Sequence, residues 1–555
     1  MNSRPLYLLD LPPEILLMIV RRMPRRDVKN LVLTGSKAYK IAAPILYRAL
    51  RLHFDLCNYR EGLRVEEVES VLDTAAATLN FVKCFHVDVS STELHGFNAG
   101  RRDNGGVRRD RLIGKDDIAI QLILRRIPDG QLECIDFPHN TSTRTLVWIL
   151  AHQKNLKYLQ FGDIPAQASM ELPENKQVLN MCPGPLHLKS LKFASIDMRI
   201  VRPMFNLLRG SENSLRKLSI GPTECYIYPL FYSWQQVQYL DPSGTVRSID
   251  NLKNSLPKLD LHSLEQLEVI HDDSCGELIP VFDHAVEDFT SLKRFKLIRC
   301  TNSINILRRI FEDATNLKSL QVIYSETCHE IGKALPSIHA LHTLQLISSP
   351  ISCSDFRQIK YQQHSLKRLW LESTHDCTTE VCPSQMVDFH NTRKPGIFHS
   401  ALWPCLEELA IGIGDPAKTD AWTRIPMIST VKVLRLLALS WESIDEDICC
   451  STVAFYARYL RLEIRRTVQR PPALQVVILS GLSNAIHRRE NPTPLYFIVN
   501  DGEGTSMEEI PRIVRLATYS EALNACRAHG STPYLLCRTA QELHTIWEDA
   551  KDGGA

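Results

Sequence analysis

The residues best equipped for chemistry are the donors between His375 and Cys405. His375, Cys377, Cys382, His390, His399 and Cys405 carry the imidazoles and thiols that bind zinc. Their spacings do not supply the tightly paired ligands of a structural site, so they read as surface histidines and packed cysteines. Cys449 and Cys450 are adjacent and also read as packing. Arg458, Arg461, Arg465, Arg466 and Arg470 form a basic cluster. It fits either a phosphate or acidic protein surface, or a solvated face with Glu463 as counter-charge. The chain has no Gly-x-Gly-x-x-Gly, no Walker loop and no Gly-x-Ser-x-Gly elbow. These patterns lead us to expect no catalytic residue, no cofactor and no metal, which leaves binding as the activity to explain.

Bulk properties agree with a binding protein. The 555 residues carry 65 basic and 63 acidic side chains, a formal charge of +2. That balance supplies no broad attraction to nucleic acid or membrane. The opening MNSRPLYLLDLPPEILL places acid and proline within its apolar part and does not form a secretory signal. There is no uninterrupted apolar run of membrane-spanning length. Sixteen cysteines without a framework spacing read as reduced intracellular thiols, many of them core fillers.

The elements that must position a binding surface begin at Leu8–Leu50. Asp10 and the Pro12-Pro13 pair stand where a helix starts, because proline's missing N–H is tolerated in the first turn. Ile15, Leu16, Ile19 and Val20 form one apolar stripe, and Pro24 ends the helix. Asp27 caps a second helix bearing Val28, Leu31 and Val32. A third carries Tyr39, Ile41, Ala42, Ile45 and Leu46. So short a unit cannot bury all its apolar surface, and Leu11, Pro12, Ile15 and Leu16 are expected to cover a partner.

Leu-Pro-x-Glu-Ile-Leu, the leucine-bearing second helix, the Ser36-Lys37 step and the closing Ala43-Pro44-x-Leu46-Tyr47-Arg48 resemble an F-box of the form common in fungal proteins. The resemblance implies docking onto the Skp adaptor of a cullin-RING ubiquitin ligase, the SCF complex. By the same resemblance, Leu11, Pro12, Ile15 and Leu16 correspond to the adaptor-binding segment and Leu31 to part of its second contact.

Farther along, one short pattern returns: apolar, two residues, apolar, one residue, apolar. It appears as Leu132-Ile135-Phe137, Leu156-Leu159-Phe161, Leu188-Leu191-Phe193, Leu215-Leu218-Ile220 and Leu264-Leu267-Val269. Leu292, Leu317, Leu341 and Leu366 open successive copies 25, 24 and 25 residues apart. Leu406-Leu409-Ile411 and Val431-Leu434-Leu436 follow, with weaker echoes at Val82-Phe85-Val87 and Leu474-Val477-Leu479. This period belongs to leucine-rich repeats, each a strand with a helical or irregular return. One unit cannot bury its apolar face alone, whereas a stack makes a continuous core.

The fold expected is therefore α/β: an N-terminal three-helix F-box, residues 1–55, then an irregular leucine-rich-repeat solenoid, or horseshoe, over residues 56–490. About 10–13 units fit that length. Insertions fall near 98–111, 222–261 and 375–404, and residues 491–555 form a capping segment with a strand at Pro492–Asp501 and helices at Ala517–Ala528 and Thr539–Ala550. Strand alternation turns Arg294, Lys296, Gln321, Gln345, Arg368, Trp370 and Arg435 outward, onto the face expected to hold a protein substrate. Trp370 is either a binding hot spot or a local core residue under the third insertion. The resemblance implies a substrate-recognition subunit of an SCF ligase, with a non-ligase repeat scaffold as the alternative.

Overall fold

The computed structural model describes Leu8 and residues 11–55, 65–90, 118–137, 143–161, 186–193, 201–221, 239–240, 246–247, 256, 258–270, 278–298, 300, 304–323, 328–348, 358–373, 403–412, 430–438, 453, 473–481, 494–499 and 514–528. The first insertion, the basic cluster at Arg458–Arg470, Cys449-Cys450, Thr539–Ala550 and the donors from His375 to His399 lie outside them. The chain divides into two compact units. One is Met1–Leu264 with His284–Glu287, and the other is Glu265–Asp283 with Asp288–Ala555.

The first unit opens with α1 (Pro13–Arg22), α2 (Arg25–Val32) and α3 (Ser36–Leu46). Pro12 and Pro24 stand immediately before α1 and α2 with extended ψ of 143°. Pro24 therefore begins α2 as well as closing α1, and Asp27 sits inside the first turn of α2 rather than capping it. Proline does this because its fixed φ suits the entry to a helix while its ring blocks continuation of the preceding one. Leu16, Val20, Val28, Leu31, Val32, Ala38 and Ala42 close a small core among the three helices.

Six strands follow in this unit: β1 (Ala49–Asp55), β2 (Cys84–Ser90), β3 (Cys134–Phe137), β4 (Tyr158–Phe161), β5 (Ser190–Phe193) and β6 (Lys217–Ile220). Each pairs in parallel with the next in chain order. Phe85, Val87, Ile135, Phe137, Leu159, Leu191 and Phe193 are buried. The alternate positions Cys134, Asp136, Gln160, Ser190 and Lys192 are only half-buried, so one strand face is closed and the other accessible. A small hairpin, β7 (Tyr239–Leu240) with β8 (Val246–Arg247), lies within the second insertion.

Strand entries share one backbone device. The Arg48 carbonyl accepts the N–H groups of both Lys83 and Cys84, the Lys83 carbonyl those of Glu133 and Cys134, and the Glu133 carbonyl those of Lys157 and Tyr158. The second unit repeats it: Lys293 accepts from Lys318 and Ser319, Lys318 from His342 and Thr343, and His342 from Lys367 and Arg368. Buried glutamines brace the turns that lead in. Gln153 Oε1 accepts from Leu132 N at 3.0 Å, and Gln362 Oε1 accepts from Leu341 N at 3.0 Å.

The second unit carries β9 (Gln266–Ile270), β10 (Arg294–Ile298), β11 (Ser319–Ile323), β12 (Thr343–Ser348), β13 (Arg368–Ser373), β14 (Glu408–Gly412), β15 (Val433–Ala438) and β16 (Val476–Gly481), all parallel and in chain order. Two further strands, β17 (Leu495–Val499) and β18 (Val514–Ala517), add in the antiparallel sense. Helical returns such as Ile304–Asp313 bury Ile306, Leu307, Ile310 and Phe311. Cys300 occupies the bend after β10, where its thiol donates to the Ile298 carbonyl at 3.2 Å.

The helix Tyr519–Ala528 sets Ala522 and Cys526 into the same apolar cluster as Ile478 and Tyr496. Its start is a reciprocal cap: Glu521 N donates to Thr518 Oγ1 at 3.3 Å, and Thr518 N donates to Glu521 Oε2 at 2.8 Å. Arg515 Nη1 donates to Glu521 Oε1 at 2.8 Å. The Thr518 backbone, then Arg515, then the Thr518 hydroxyl hold the Glu521 carboxyl down from 4.5 to about 2. Its pKa is lower folded than unfolded, so its contribution is present above pH 4.5 and fades as pH falls toward about 2. Amide protection factors at Ala522–Ala528, which correct for the intrinsic pH dependence of exchange, should therefore fall on acidification through that window, and Glu521→Gln should remove most of this dependence. Identical pH profiles for the two proteins would refute the role given to the carboxylate.

Candidate functional site

Apolar exposure is concentrated at the N-terminal helices. Of eight large apolar side chains exposed among the described residues, four are Leu8, Ile15, Met18 and Leu33. Ile15 and Met18 lie three apart on α1 and are 40% and 54% exposed. Beside them, Pro12 is exposed and Leu11 half-buried. Leu16 and Leu31 differ from expectation: both face the three-helix core and offer little to a partner. The reason is helical spacing, since Leu16 shares a face with Val20 while Ile15 is turned about a quarter circle away. Sequence reading missed Met18, which its i+3 relation to Ile15 would have revealed.

The residues assigned to substrate lie on one strand face, opposite Phe295, Leu320, Leu344, Leu369 and Leu434, but that face is not open. Gln321, Gln345, Trp370 and Arg435 are buried, Trp370 to 5% exposure, and Arg294, Lys296 and Arg368 are half-buried. Several are engaged internally. Lys296 Nζ lies 2.8 Å from Glu268 Oε1, and Arg368 Nε donates to Glu408 Oε1 at 3.1 Å. Trp370 Nε1 donates to Glu372 Oε2 at 3.1 Å, with the Arg435 guanidinium 4.9 Å from an indole ring centroid. Arg435 Nε also donates to Ser480 Oγ at 2.8 Å. The physical cause is a line of isoleucines on the same face. Ile270, Ile298, Ile323 and Ile347 join Trp370, Ala410, Val433, Leu437, Ile478 and Tyr496 in one cluster. This unit thus buries both faces of its parallel strands.

No family model and no curated protein matches this chain.

The accessible strand face is in the first unit. It carries Tyr158, 47% exposed, with half-buried Gln160, Ser190 and Lys192 on neighbouring strands. At the β2–β3 end of this face, register sets Cys84 opposite Cys134 and His86 opposite Asp136. One ligand atom each from Cys84, His86 and Cys134 lies within 4.8 Å of the others. His86 Nδ1 is 3.5 Å from Asp136 Oδ2. Hydrogen bonding to Cys134 and His86, with the charges of His86 and Arg48, pulls the Cys84 thiol down to about 5 against the effect of burial. Asp136 first, then Cys84, push His86 up to about 9. These four residues were not recognised from the sequence. The available signal was that Cys-x-His and Cys-x-Asp occupy corresponding outward positions in two successive copies of the apolar pattern.

Proposed function

We propose that this protein is the substrate-recognition subunit of an SCF-type ubiquitin ligase, docking the Skp adaptor through its N-terminal helices and a protein substrate through its strand-bearing units. The observation that carries this reading is the exposed Pro12–Ile15–Met18 edge on a helix whose other side completes a core. Pro12, Glu14 and Ile15 of the Leu-Pro-x-Glu-Ile-Leu motif lie along this edge while Leu16 faces the core, and the motif's resemblance to an F-box argues for the adaptor as occupant. The repeating strands suit a leucine-rich-repeat platform, with the open face around Tyr158, Gln160 and Lys192 as the substrate surface. Among the described residues no helix is long and apolar enough to cross a membrane.

The activity proposed is positional. Holding a substrate beside a charged ubiquitin carrier raises its effective concentration and aligns the acceptor lysine, so no catalytic group is needed in this chain.

The test uses the purified protein and adaptor. Ile15→Asp places an unpaired carboxylate in the apolar contact and should weaken adaptor binding by about 3 kcal/mol or more. The same substitution should leave the melting temperature unchanged, because Ile15 is 40% exposed in the free chain. Full-strength adaptor binding by this variant would sink the assignment.

A further inference from the structure

The geometry points to a metal site for a zinc-class divalent cation, formed by Cys84, His86 and Cys134 on adjacent strands with Asp136 positioning the imidazole. Among the described residues this is the one group of three or more such donors gathered closely enough to share an ion. Two strands supply it in register, so the ligand atoms converge without displacement of backbone: Cys84 pairs with Cys134, and His86 with Asp136. On the other side, β1 sets the small Ala49 opposite Cys84 and Arg51 opposite His86.

The donor set selects the ion. Two thiolates and an imidazole favour zinc-class metals over magnesium or calcium, which take oxygen ligands. Asp136 Oδ2 lies toward His86 Nδ1, the arrangement in which a carboxylate orients a metal-binding histidine that offers its other ring nitrogen to the ion. Asp136 Oδ1 is buried without a hydrogen-bond partner, an unmet polar capacity that a nearby cation or its water would relieve. Three protein donors leave one tetrahedral position to solvent, and both cysteines are half-buried, so an ion can enter. Because Cys84 and Cys134 stand 50 residues apart, the ion would also clip β2 to β3 across a long connection. None of this depends on the adaptor reading.

The test uses the full chain under reducing conditions after chelator treatment. Cobalt(II) alone should produce a thiolate-to-cobalt charge-transfer band at one ion per chain, and zinc should displace it. Cys84→Ser and Cys134→Ser should each abolish the band. Asp136→Asn should weaken zinc binding by about 10–100-fold, with the melting temperature in the absence of metal unchanged. Should the cysteine variants fail to fold, the unmodified protein decides the matter by alkylation and peptide mass spectrometry: zinc should shield Cys84 and Cys134. Equal alkylation of both with and without zinc overturns the site, as does a Cys84–Cys134 disulfide that persists under these conditions.

Discussion

Trp370→Ala should destabilise the second unit by about 3–5 kcal/mol, read as a lowered denaturation midpoint. The indole is 5% exposed and shares a cluster with Ile347, Ala410 and Ile478. Its removal leaves a cavity in a face where the neighbouring strands are held in register and cannot close inward. Two polar contacts go with it: the bond accepted by buried Glu372 and the ring beneath the Arg435 guanidinium. Loss of such contacts from buried ionic groups costs more than loss from neutral ones. Trp370→Phe separates part of the contributions, since it retains an aromatic ring and most of the volume but loses the N–H and the second fused ring. It should fall between wild type and alanine. A melting temperature unchanged by Trp370→Ala would refute the core role and return the residue to the substrate surface.

Gln362→Leu is the second large effect. Gln362 is 2% exposed and makes three bonds to backbone: Oε1 accepts from Leu341 N at 3.0 Å, while Nε2 donates to Leu335 O at 2.7 Å and Ile338 O at 2.8 Å. Leucine fits the volume but satisfies none of these groups. The Leu341 N–H and the Ile338 carbonyl lose their partner, while the Leu335 carbonyl keeps the Ile338 N–H at 3.3 Å, which predicts a loss of about 2 kcal/mol or more, given roughly 1–3 kcal/mol per orphaned group. Urea unfolding of the variant checks this. A loss below that expected for a single hydrogen bond would mean that the turn before β12 does not depend on the side chain.

Much of the architecture was legible because the apolar pattern is physical. Leu292-Phe295-Leu297 and its successors mark residues that must leave water, and β10 to β13 lie at those positions. The fate of the other strand face was not inferred, although its signal was present. An isoleucine follows the last inward residue in Leu297-Ile298, Val322-Ile323 and Leu346-Ile347, and two consecutive apolar residues in a strand must load both faces. Strand alternation does set Gln321, Gln345 and Arg435 opposite the leucines, but neighbouring apolar side chains on that same face enclose them. The C-terminal cap was similarly local: Thr518-x-x-Glu521 satisfies the capping-box pattern. Cys84 and Cys134 posed a harder problem. Their pairing depends on register across 50 residues, which becomes readable only when successive copies of the pattern are aligned on their apolar positions.

The doubled hydrogen bonds at strand entry make the architecture tolerant of changes in length. Each entry carbonyl grips two consecutive N–H groups of the next strand, fixing that strand's phase at its first residue. The chain between entries is then free to vary: aligned positions are 25 residues apart from Arg294 to Ser319, 40 from Arg368 to Glu408 and 43 from Val433 to Val476, with parallel pairing kept throughout. Doubling the length of a flexible return adds only about 0.6 kcal/mol of closure entropy, less than the hydrogen bonds that hold the entry. Insertions can therefore accumulate between strands without a slip that would turn leucines outward. New surface can be acquired in the returns while the strand core keeps its alignment.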